Sequence, residues 1–216
     1  MQYFWAGIAA DLLDSPEGVG ELERPATGDL PALFKVQTDR LLAAITTHPP
    51  EAECWSWYED GHSIGWVRRR QAHEALIHRV DAELAIGSAS VVSAPIAADG
   101  IDEILTTMLD ASNLPEWASF DPNGQTAVLT TGDHRVARGV ELGSFSGTSP
   151  NSGIRYDDPA LRLLADPAPE PTAVISGAAA DLDLWLWGRK AIEALEVSGS
   201  SEVPAAIRAA AASATQ

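Results

Sequence analysis

The hydrophobic pattern changes its period partway along the chain. Through residues 3–86 apolar positions recur at helical spacing, and beyond residue 98 short alternating runs appear among further helical ones. Residues 3–13 form a short apolar helix that Asp14-Ser15-Pro16-Glu17-Gly18 ends, since proline and glycine both stop a helix. After a loop to about Gly28, Asp29 is the expected cap of a second helix with Pro31 in its first turn. Leu30, Leu33, Phe34, Leu41, Leu42 and Ile45 make its apolar face, and His48-Pro49-Pro50 ends it. A loop carrying Cys54, Trp55, Trp57 and Gly61 leads to Ser63. That residue is the expected cap of a third, longer helix, which runs to about Ile86 and stops at Gly87.

Residues 88–98, SASVVSAPIAA, are small and carry a proline, the composition of a linker. Ile101, Ile104, Leu105, Met108 and Leu109 predict a short amphipathic helix. Residues 126–131 and 135–142 read as strands joined by Gly132-Asp133, a hairpin signal. A further strand is expected over 172–176, a helix over 178–195, a last short strand over 195–197 and an alanine-rich helix over 203–212. The fold class is therefore α+β. A helical domain spans 1–87, a linker 88–98 and a small α+β domain 99–216.

Composition narrows the function. Hydrophobic residues at 45% and charged residues at 21% suit an ordinary globular protein. No run approaches the ~20 apolar residues of a membrane-spanning helix, so no membrane association is expected. The N-terminal MQYFWAGIAADLL lacks the basic region and cleavage site of a secretory signal, and one cysteine, Cys54, cannot form an internal disulfide framework. A cytoplasmic location fits both. Fourteen basic against 31 acidic residues, net charge −17, would repel a phosphate backbone, so no nucleic-acid binding is expected. Cys54, flanked by aromatic residues, reads as a buried small hydrophobe. Gly143-Ser144-Phe145-Ser146-Gly147 lacks the lysine of a phosphate loop.

The chemistry concentrates in residues 66–83, WVRRRQAHEALIHRVDAE. The run from His73 through Glu74 to His78 has one residue more than the zincin HExxH pattern. His73 and His78 then lie about 140° apart around a helix, whereas Glu74 and His78 share one side a turn apart. Arg70 and Asp81 extend that stripe beside the apolar Ile77, Val80 and Leu84. Charges so close to a core call for pairing or a metal. A carboxylate and an imidazole at this spacing suit a borderline divalent ion such as zinc, and they equally suit an ordinary exposed pair. A catalytic zinc usually takes three protein ligands. His48 at a helix end, His62 in a loop and His134 in a hairpin turn each read as solvent-exposed, so the stripe is one ligand short.

Residues 66–83 resemble the metal-site helix of the mycothiol-dependent maleylpyruvate isomerase family. Residues 98–105, ADGIDEIL, resemble the start of that family's C-terminal domain, and residues 176–189, SGAAADLDLWLWGR, its second signature. The resemblance implies a DinB-like four-helix bundle followed by a sterol-carrier-like α+β domain that closes the cleft. It implies a divalent metal, usually zinc, held by Glu74, His78 and a histidine of an earlier helix, with mycothiol as the thiol cofactor. In such an isomerase the thiolate adds to a cis double bond, the bond rotates and the thiol leaves. Arg189 would hold the substrate carboxylate, which guanidinium binds bidentately, and Arg70 is the cofactor-binding candidate.

In that family a first helix and a histidine-bearing part of the second precede a segment like QYFWAGIAADLL, which in this sequence directly follows Met1. The resemblance thus implies an incomplete bundle, shortened by about 40–50 residues. An exposed apolar groove would follow, open to a partner or to a second copy in a homodimer. The expected function is a metal-dependent, mycothiol-using isomerase or thiol transferase acting on a small electrophile, with maleylpyruvate only one possible substrate. The alternative is a non-catalytic small-molecule or protein-binding module that has lost its metal site.

Overall fold

The computed structural model describes residues 2–134 and 136–215. Two compact units divide the chain, residues 1–76 and 77–216, and the division falls within one helix.

The first unit contains α1 (Gln2–Asp11), α2 (Leu30–Thr47) and the first part of α3 (Ile64–Ala85). Trp5, Ala6, Ile8 and Ala9 of α1 form a core with Leu41, Ala44, Cys54, Ile64 and Val67. The ring of Trp5 stacks on Trp55 with centroids 6.0 Å apart and leans on Trp66 at 5.7 Å. Ser63 caps α3 as expected, its hydroxyl accepting the Trp66 N–H at 3.2 Å. Asp29 does not cap α2 through its side chain; a 3-10 turn, Thr27–Asp29, leads into that helix instead. The expected apolar face of α2 is only partly buried. Leu41 and Ala44 are covered, while Phe34 and Leu42 are exposed, because α2 packs chiefly along one stripe against α1.

The second unit opens with the last turns of α3. Next come α4 (Ala94–Glu103) and a π-helical turn, Ile104–Leu109. The expected linker is thus helical from Ala94, with Pro95 in the first turn, where a missing N–H has no ladder to break. Strands β1 (Ala118–Thr131), β2 (Ala137–Thr148), β3 (Arg155–Leu164), β4 (Ala173–Gly177) and β5 (Glu196–Gly199) form one mixed sheet in the order β3-β2-β1-β4-β5. β1, β2 and β3 run antiparallel, β4 joins β1 in parallel, and β5 is antiparallel to β4.

Register puts Ala127 opposite Val140 and Ala173, Leu129 opposite Ile175, and Leu142 opposite Leu161. All are buried, so this is the core-facing side of the sheet. Ile101, Ile104, Leu105, Leu182, Leu186 and Ile207 are buried on the helices. The last three belong to α5 (Ala179–Leu186) and α6 (Val203–Ala214).

Three elements depart from the pattern-based reading. β1 begins at Ala118, before the expected residue 126, with a register shift between Pro122 and Thr126. β3 has no counterpart in the hydrophobic pattern: RYDDPALRLL has two aspartates and a proline, which the end strand of the sheet tolerates because its outer side makes only an isolated bridge, Leu161 to Asp110. The helix expected over 178–195 ends at Leu186. Gly188, at φ +76°, reverses the chain there, and the Arg189 N–H bonds back to the Leu184 carbonyl at 2.7 Å. The compact units part at residue 76, within α3, and Asp81 of its last turns pairs with Arg189 inside the second unit.

Candidate functional site

The charged stripe of α3 resolves into two pairs. Arg70, nearly fully buried, donates from Nη2 to Glu74 Oε1 at 2.6 Å. These two residues belong to the first unit. In the second unit, Arg189 grips Asp81 bidentately, with Nε to Oδ1 and Nη2 to Oδ2 both at 2.8 Å. The remaining guanidinium nitrogen, Nη1, donates to the Trp187 carbonyl. His78 lies a turn before Asp81, its Nδ1 3.6 Å from Asp81 Oδ2, and its side chain is 64% exposed. The Arg189 guanidinium holds the Asp81 carboxyl below the usual carboxylate range. Reciprocally, hydrogen bonding to Asp81 raises the Arg189 pKa.

The Gly188 turn is what aims Arg189. α5 is apolar and buried through Leu182, Trp185 and Leu186, so its end is fixed against the core, and the reversal sends the next side chain outward. Of the other histidines, His73 is buried, His48 contacts the Ala10 carbonyl at 3.3 Å, and His62 accepts the Ser56 N–H at 3.4 Å. His134 is exposed in the β1–β2 turn. Among the described residues no three of His, Cys, Asp and Glu gather into a group able to hold a metal. No described helix is long and apolar enough to cross a membrane.

A second ionisable group carries no signature in the sequence pattern. Asp183 of α5 is 1% exposed, and neither carboxylate oxygen has a hydrogen-bond partner. Burial first, then the nearby Glu103 and Asp99 carboxylates of α4, push its pKa up to about 8. Gly100 makes the approach of the helices possible, since a Cβ there would lie 2.9 Å from both Asp183 oxygens. At neutral pH this carboxyl is therefore held as the neutral acid. The alternation in DLDLWLW marks Asp183 as a polar residue in an apolar helix but carries no sign of its burial.

Two family models match the chain. Residues 5–83 match the mycothiol maleylpyruvate isomerase N-terminal domain, and residues 95–206 match the C-terminal domain of the same family. No curated protein matches the chain. The two matches together cover most of the chain, the second spanning the mixed sheet, and the chain belongs to the mycothiol maleylpyruvate isomerase family.

Proposed function

We propose that the protein is a mycothiol-using isomerase or thiol transferase acting on a small electrophile that bears a carboxylate. Family membership supports the thiol, and the observation that carries the substrate class is the bidentate Asp81–Arg189 pair. A guanidinium already oriented to donate two parallel bonds to one carboxylate is preorganised for another. A substrate carboxylate would take the place of Asp81 on Arg189, keeping both bonds. Asp81 orients the fork until then. His78, exposed and one turn before Asp81, is the candidate to meet the thiol; Arg70, expected to hold the cofactor, is instead nearly fully buried and engaged by Glu74.

The divalent metal that the family implies fits poorly here. Glu74 and His78 are the donors that this chain would contribute, Glu74 Oε1 is already engaged by Arg70, and no third ligand joins them among the described residues. These residues do not complete a three-ligand zinc centre. That engagement favours the second reading, a small-molecule- or protein-binding module, in which Arg70–Glu74 and Asp81–Arg189 are structural pairs.

The deciding experiment follows cis-to-trans isomerisation of an unsaturated keto acid, and thiol transfer, with and without mycothiol. Turnover that requires the thiol, and that falls roughly 100-fold in kcat/KM for Arg189→Gln, supports the enzyme reading. Asp81→Asn should lower KM by leaving the guanidinium open. Turnover independent of thiol, or indifferent to Arg189→Gln, would sink it, and no turnover with intact ligand binding establishes the module instead.

A further inference from the structure

A cavity of about 520 Å³ lies in the second unit, where the turn after α5 meets the start of α6 and edge strand β5. Trp185, Ile192 and Val197 supply apolar wall, and Arg208 and Lys190 supply charge. No acidic residue lines it, in a chain of net charge −17. Lys190 pairs with Asp181 at 2.9 Å. Arg208 donates to the Leu186 carbonyl, and no described carboxylate lies within ion-pair distance of it.

A half-buried guanidinium with no counter-charge among the described residues is costly, and an anion in the cavity offsets that cost. Burial and the neighbouring Arg189 cation both disfavour its charge as it stands. The sequence accommodates this placement: a Cβ at Gly188 would lie 2.5 Å from Arg208 Nη2, so the glycine that turns the chain also leaves room for the guanidinium. The start of α6 reaches the cavity through Pro204 and Ala205, adding the positive end of a 12-residue helix. Glu202, at the N-cap, is exposed and lines no part of it.

We propose that this cavity is a second anion site, separate from the Asp81–Arg189 pair, and that it takes a small amphipathic monocarboxylate. The carboxylate sits on the Arg208 fork with Lys190 beside it, and the apolar body lies against Trp185, Ile192 and Val197. The volume falls within the ~300–1,000 Å³ of small-molecule sites. The proposal does not rest on the thiol chemistry, and it holds for the enzyme and for the binding module alike.

The test is calorimetric titration of the full chain with hexanoate and with its neutral isostere hexanamide, at millimolar concentration, with circular dichroism to confirm folding of each variant. Hexanoate should bind at least ~10-fold more tightly than hexanamide, and Arg208→Gln should weaken hexanoate by at least ~10-fold. Ala205→Glu, at an exposed lining position, places a carboxylate beside Arg208 and should abolish binding; it decides the matter alone if Arg208→Gln fails to fold. Arg189→Gln removes a neighbouring cation but no lining group, and should weaken hexanoate far less than Arg208→Gln does. Absence of hexanoate binding, equal binding of the amide, indifference to Ala205→Glu, or loss only in Arg189→Gln would each overturn the proposal.

Discussion

Replacing Asp183 by asparagine removes a carboxyl group whose proton the fold holds far above its usual range. In the unfolded chain the group titrates near 3.8, and in the native state at about 8. Between those values the native state carries one more proton than the unfolded state. Stability must therefore fall as pH rises, by about 1.4 kcal/mol per pH unit. The contribution is fully present below the unfolded value and is lost as pH climbs toward the folded one. From about pH 5 to about pH 7 the expected loss is up to ~3 kcal/mol, a large part of the stability of an ordinary domain. Urea unfolding of the native chain and of Asp183→Asn across that range gives the difference between their unfolding free energies at each pH. Contributions from the histidines are common to both chains and cancel. The asparagine chain should gain on the native chain steadily as pH rises. A difference that stays constant with pH would mean that Asp183 is ionised in the native state, and the account of α4 packing on α5 through a neutral acid would be wrong.

Gly100→Ala should destabilise by about 1–3 kcal/mol in the same unfolding assay, because its Cβ would press on the Asp183 carboxyl from 2.9 Å and the helices must separate. Elemental analysis after gel filtration should find well below one zinc per chain, unchanged in His78→Ala; near-stoichiometric zinc lost in that variant would show that two donors and a further ligand suffice. Cys54, buried in the first unit with its thiol pushed up by desolvation, should react with an aromatic disulfide reagent only on unfolding, and prompt reaction in the native chain would contradict its burial.

The α+β class and the family were legible in the chain because their signals are local. Helical spacing placed α2 and α3, Ser63 marked the start of α3, and Gly132-Asp133 marked the β1–β2 hairpin. The three segments that carry the family resemblance are contiguous runs, and the matches at 5–83 and 95–206 cover them. Alternation failed at β3 because an edge strand is exempt from the rules that shape a central one. Helical periodicity overran the end of α5 because apolar residues continue past the point where Gly188 turns the chain.

The candidate sites divide the same way. Spacing alone set Glu74 and His78 on one side of a helix, and set Arg70 within reach of Glu74, since a helix repeats its own geometry. No local rule pairs Asp81 with Arg189, 108 residues apart, or sets Asp183 against Glu103 and Asp99. Nor does any local rule leave Arg208 without a carboxylate among the described residues. Those placements depend on how helices and sheet pack, and packing decides which charges find partners, which are stripped of water, and which keep room for a ligand. The sequence by itself determined the lineage and most of the elements, β3 and the end of α5 excepted. The tertiary structure decided the chemistry, because desolvation and pairing are properties of neighbours brought together from distant parts of the chain.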